Sequence, residues 1–166
     1  MNTLVVFRFD GPEAADATLP RLRRLVQERV VSVDDAALVS WPPNRRKPST
    51  RELGSLDGPG ELWGGFWGLL LGLVFLSPLA GPAFGAAAGA VAGGLSDFGI
   101  EDDFIKSVRD TVIPGTSAVF VVTRRVSANR LTKELRGLGD DVGCTYLSPE
   151  QEQRLRYALG DESTPR

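Results

Sequence analysis

The chain contains no histidine. That excludes imidazole acid/base catalysis, Ser-His-Asp and Cys-His nucleophile systems, and every histidine metal site. It has one cysteine, Cys144, which excludes an intrachain disulfide, a CxxC pair and a cysteine-rich zinc site. It also lacks any excess of positive charge. Against 19 Lys+Arg stand 21 Asp+Glu, a formal net charge of −2 and a pI of about 5.2. Nucleic acid is therefore not an expected partner. Most of the ordinary catalytic repertoire goes with these residues. We expect no enzyme, and we read no cofactor and no small-molecule substrate from the chain.

Charge is missing locally as well. Residues 61–100 hold no Lys or Arg and only two acids, Glu61 and Asp97. Residues 1–60 carry 9 basic and 8 acidic side chains, and residues 101–166 carry 10 and 11. The 166 residues suffice for one domain with a real core. They divide into two charged flanks around an apolar, glycine-rich insert. The expected units are 1–60, a first βαβ half plus a flexible linker; 61–96, the insert; 97–160, an αβαβα half; and 161–166, a polar tail. Residues 4–7 are apolar, but Arg8 and Asp10 end the run too early for a signal h-region, and no basic n-region precedes it. The flanks are expected to be cytoplasmic.

The flanks read as a split βαβ–βαβ domain. Residues 4–9 are β-branched and aromatic, a strand. Asp10 and Glu13, with Pro12 between them, resemble a capping box. Leu19, Leu22, Leu25 and Val26 fit one helical face, which Pro20 is expected to kink or restart. Residues 31–41 read as a second strand, stopped by Pro42-Pro43. Residues 102–111 form a short helix, and residues 117–123 a strand apolar enough to be buried on both faces. Ser127 is placed to cap a helix through Leu138, with Gly137 and Gly139 at its end. Residues 144–147 read as a last strand. Ser148-Pro149 then opens a final helix to about Leu159. The order predicts an α+β, ferredoxin-like split βαβ–βαβ sandwich, with the insert replacing the connection between its second and third strands.

The insert carries two glycine rows at a spacing of four: Gly64, Gly68 and Gly72, then Gly81, Gly85, Gly89 and Gly93. On a helix each row lies along one side. Pro78 and Pro82 lie between them in a turn signal. The spacing predicts a glycine-zipper helical hairpin. Its first leg is bulky on the other side, through Trp63, Phe66, Trp67, Leu70, Leu71, Val74 and Phe75, and its second leg is mostly Gly and Ala. Each interior glycine costs a helix about 1 kcal/mol relative to alanine. Close backbone contact offsets that, so these glycines are packing and oligomerisation surfaces. Gly85 and Gly89 precede no GK[ST] and follow no strand, so they form no phosphate loop.

Length leaves the solvent of the hairpin open. Residues 62–76 make a helix of about 22 Å, against about 30 Å of hydrocarbon. Residues 79–95 reach the lower limit of a span. Trp63, Phe66 and Trp67 suit either a membrane-interface belt or an oligomer core. Arg45, Arg46, Lys47 and Arg51 precede the uncharged hairpin, as positive-inside anchoring or as a solvated linker.

Other polar groups have two readings each. Asp97, Glu101, Asp102 and Asp103 are weak candidates for a hard-cation site, or they decorate a helix start favoured by its dipole. Asp34-Asp35 either join such a site or form a turn into the second strand. Cys144 is a redox thiol or an inert strand residue. Arg124-Arg125 either meet phosphate or lipid headgroups or end a strand in solvent.

Five segments stand out: residues 4–7 with the helix after them, Val33-Asp34-Asp35-Ala36-Ala37, the Gly64-Gly65-Phe66-Trp67-Gly68 run to Leu73, the stretch from Leu95-Ser96-Asp97-Phe98-Gly99-Ile100 to Lys106, and Pro114-Gly115-Thr116-Ser117-Ala118. Together they resemble one bacterial family of predicted membrane proteins, the domain-of-unknown-function 1269 family. The resemblance runs from about residue 3 to 159 and supplies no catalytic residues.

The expected protein is therefore a non-enzymatic, membrane-associated homo-oligomer. Its hairpin anchors and assembles cytoplasmic domains at the cytoplasmic membrane, with itself and membrane lipid as partners. A soluble homo-oligomeric shell or ring, stress-related in role, with hairpins buried between subunits, explains the same residues. A small-ligand sensor or enzyme on the sheet face is the third reading.

Overall fold

β-branched and aromatic runs build a single sheet. The computed structural model describes residues 2–56, 67, 70, 71, 74, 75 and 102–147. Within them β1 (Asn2–Asp10), β2 (Asp35–Ser40), β3 (Ser49–Glu52), β4 (Thr116–Arg124) and β5 (Asp140–Leu147) pair in the order β3-β2-β4-β1-β5. Every neighbouring pair is antiparallel. The helices are α1 (Ala14–Gln27), α2 (Asp102–Thr111) and α3 (Arg125–Glu134). The chain is an α+β protein.

Strand residues alternate between two buried faces. Val5, Phe7, Phe9, Ala36, Leu38, Val119 and Val121 pack against Leu19, Leu22, Leu25 and Val26 of α1 and against Ala128, Leu131 and Leu135 at α3. Leu4, Val6, Ala37, Val39, Ala118, Phe120 and Val122 face the other way. There they meet Phe104, Ile105 and Val108 of α2, Val112 just after it, and Trp67, Leu70, Leu71, Val74 and Phe75 of the insert. Coverage of both faces explains why β4 is buried continuously from Thr116 to Thr123.

Several local expectations change. Helix α1 runs unbroken through Pro20. The ring removes one backbone hydrogen bond on an exposed side, and the buried stripe of Leu19, Leu22, Leu25 and Val26 holds the helix on the sheet. No capping box closes its start, because Glu13 is the N-cap and its side chain makes no cap bond. Instead the backbone N–H of Ala15 donates to Ser117 Oγ of β4 (2.9 Å), and that hydroxyl donates to Gly11 O (2.7 Å). Ser127 does not cap α3 either, since the helix already starts at Arg125. Its hydroxyl accepts from the Ser32 N–H (2.9 Å), and Thr123 Oγ1 donates to Ser32 O, so the loop before β2 is tied to the start of α3. The expected linker contains β3, an exposed edge strand paired with β2. The second strand begins at Asp35, later than residue 31, while Val31 and Val33 are buried ahead of it. The final helix expected from Ser148 and the tail at 161–166 lie outside the described residues.

Candidate functional site

The described part of the insert is helical at Trp67, Leu70, Leu71, Val74 and Phe75. These positions are spaced i, i+3, i+4, i+7 and i+8, one face of a helix. All five are between 0% and 6% exposed. The Trp67 ring meets Phe120 of β4 edge-on (centroids 6.3 Å apart), and Phe75 meets Trp41 the same way at 5.6 Å. The Arg109 guanidinium of α2 donates to Val74 O (3.1 Å). These five side chains of the first leg therefore belong to the domain's own core. Gly64, Gly68, Gly72, Gly81, Gly85, Gly89, Gly93, Trp63 and Phe66 lie outside the described residues. Among the described residues no helix is long and apolar enough to cross a membrane.

The acidic candidates are spread out. Asp97 and Glu101 lie outside the described residues, as does the side chain of Asp102, the first residue of α2. Asp103 follows it in the first turn of α2, exposed. Asp35 is buried at the start of β2, and its Oδ1 accepts from the Ala36 N–H (2.8 Å). Among the described residues no three His, Cys, Asp or Glu side chains gather to hold a metal. The basic residues Arg45, Arg46, Lys47 and Arg51 are exposed, and Arg51 pairs with Asp16 of α1 at 2.6 Å.

A cleft of about 370 Å³ opens between α3 and edge strand β5. Its floor is Thr3 and Val5 of β1 and Ala128 of α3, all buried. Cys144, opposite Val5 in the register, stands on the β5 side with Asp141. Arg125, Asn129, Thr132, Lys133 and Arg136 form the α3 side. Lys133 and Arg136 have no ion-pair partner among the described residues. The Thr3 side chain presents a buried hydroxyl with no hydrogen-bond partner among the described residues. Such a group costs the folded state about 1–3 kcal/mol until something meets it. Arg125, read in the sequence as a pair with Arg124, is thus brought together with Cys144, whereas Arg124 ends β4 in solvent. Thr3, Asn129, Thr132, Lys133 and Arg136 were not foreseen. The helical spacing of 125, 129, 132, 133 and 136 was the signal for them.

A second, shallower groove of about 740 Å³ lies between α1 and the β2-β3 edge. Its lining includes Glu13, Asp16, Ser40, Thr50 and Arg51, and Arg51 is already engaged by Asp16.

These elements define an antiparallel α+β domain with helices on both faces and a polar cleft at one edge. The chain belongs to the family described as protein of unknown function (DUF1269), whose model matches residues 61–160. The match covers the insert and the second half, and the N-terminal segments that resemble the family precede it. No curated protein and no solved structure matches the chain.

Proposed function

We propose that the chain is a non-enzymatic homo-oligomer in which the glycine-rich insert joins copies of a cytoplasmic α+β domain. The observation that carries this is the burial of Trp67, Leu70, Leu71, Val74 and Phe75 in the domain's own core. Side chains that the first leg gives to its own sheet are not turned to lipid. The run between Glu61 and Asp97 is uncharged, and soluble surfaces rarely expose apolar patches beyond a few hundred Å². In this reading a second copy covers it, with the rows Gly64, Gly68, Gly72 and Gly81, Gly85, Gly89, Gly93 as the zipper of close approach. The absence of histidine supports a non-enzymatic role.

The domain itself we read as ferredoxin-like. Support comes from the order β2-β4-β1-β5, from α1 between β1 and β2, from α3 between β4 and β5, and from both helices packing on one face. The insert and α2 then belong to the connection between the second and third strands of that motif.

Membrane anchoring by the same hairpin is the second reading. The uncharged run, with Arg45, Arg46, Lys47 and Arg51 ahead of it, favours it. Detergent-free flotation of a native lysate separates the two. A soluble assembly stays dense and elutes as a large particle. Protein that rises with vesicles and survives a high-pH wash sinks the soluble reading and establishes the anchored one.

A further inference from the structure

We propose that the cleft between α3 and β5 binds a phosphate monoester. Its lining carries three cations, Arg125, Lys133 and Arg136, against one acid, Asp141. That leaves a formal excess of two positive charges. A phosphate monoester above its second pKa, about 6, carries two negative ones. Lys133 and Arg136 have no ion-pair partner among the described residues, so a dianion displaces no existing pair at these two positions. A guanidinium fork matches two phosphate oxygens at once.

The floor supplies the second half of the recognition. The Thr3 hydroxyl is buried, 1% exposed for the residue as a whole, and lacks a hydrogen-bond partner among the described residues. It lines this cleft and not the groove between α1 and the β2-β3 edge. A phosphate oxygen accepts its proton, and the Asn129 amide, at the rim, is a further donor. Val5 and Ala128 give the ester's carbon portion an apolar floor. A volume of about 370 Å³ sits at the small end of ligand sites. Asp141 opposes a higher charge, which sets a monoester apart from a polyphosphate.

Cys144 makes the cleft measurable, because it is the only cysteine, is exposed and lines the same space. The full chain is dialysed to equilibrium against phenyl phosphate at pH 7.5, with phenyl sulfate as the singly charged control of the same shape. The thiol's reaction with N-ethylmaleimide is timed in parallel. The expected result is saturable binding of phenyl phosphate at least tenfold tighter than of phenyl sulfate, with maleimide labelling slowed severalfold. Lys133→Ala with Arg136→Ala lowers the affinity at least tenfold. Thr3→Val lowers it threefold or more while the unliganded fold keeps its melting temperature or gains. Flotation with phosphatidic acid vesicles, against phosphatidylcholine alone, tells a lipid phosphate from a soluble one. Cleft-dependent binding in either arm supports the proposal. Four results overturn it: no binding in both arms, equal binding of the sulfate, full affinity in the double variant, or binding that leaves the labelling rate of Cys144 unchanged.

Discussion

One face of the sheet presents Phe7 and Phe9, and the helices answer with Ala15, Leu19, Leu22, Leu131 and Leu135. The opposite face presents Phe120 beside Ala37 and Ala118, and the cover answers with Trp67, Phe75 and Phe104. Strands and cover both supply bulk on each face, and the two faces differ in where the cover comes from. The first cover is made of helices that each cross over one intervening strand, α1 from β1 to β2 and α3 from β4 to β5. The second is delivered by the apolar insert, so the part of the chain that looks most foreign to the domain completes it.

The sharpest way to break that comparison is truncation on each side. Trp67→Ala is expected to cost about 3–5 kcal/mol, and Leu22→Ala on the opposite face about 2–5 kcal/mol. Urea denaturation measures both. If Trp67→Ala changes stability by less than about 0.5 kcal/mol, the insert is no part of the core.

A tighter probe concerns the edge beside the cleft. A Cβ on Gly139 would stand 2.7 Å from the Phe9 ring and 3.0 Å from Arg8 O, a backbone atom that cannot swing away. Gly139→Ala is expected to cost about 1–3 kcal/mol. At Gly137, where φ is +86° and the space is open, the alanine cost is only that of the left-handed backbone, about 1 kcal/mol. Thermal melts that rank the two the other way would remove the close approach of β1 to the loop between α3 and β5.

Ser117→Ala tests how the first face is closed. It strips the cap from Ala15 N and is expected to cost about 1–2 kcal/mol, because that N–H is buried. A cost below about 0.3 kcal/mol in denaturant melts would show that the helix start does not depend on β4.

The smallest expected effect has the opposite sign. Thr3→Val replaces an unsatisfied hydroxyl with a methyl of similar size, and is expected to stabilise the unliganded domain by up to about 1 kcal/mol. Destabilisation in the same melts would mean that the hydroxyl already has a partner.

Much of the sheet was legible from local pattern. β1 and β4 read as strands because β-branched and aromatic residues run through them, and α1 because Leu19, Leu22, Leu25 and Val26 repeat at helical spacing. The face from Trp67 to Phe75 was legible as a bulky helical side, but not what it would pack on. The caps misled, because Asp10, Glu13 and Ser127 are the right residue types at the right spacing. The hydroxyl that closes the start of α1, Ser117, lies 102 residues from Ala15 in the chain, and the Ser127 hydroxyl is taken by the Ser32 N–H, 95 residues away. Strand β3 escaped because all four of its side chains are exposed and its sequence, Ser-Thr-Arg-Glu, has no apolar period.

By itself, then, the sequence determined the kinds of chemistry excluded, the element types and the division into charged flanks and uncharged insert. These depend on residue identity and short-range periodicity alone. The tertiary structure decided which face each apolar stripe would cover, that the distant Ser117 hydroxyl would cap α1, and that Thr3, Lys133, Arg136 and Cys144 would line one cleft. Those outcomes rest on the antiparallel register that sets β1 between β4 and β5, a pairing across more than a hundred residues that no local pattern encodes.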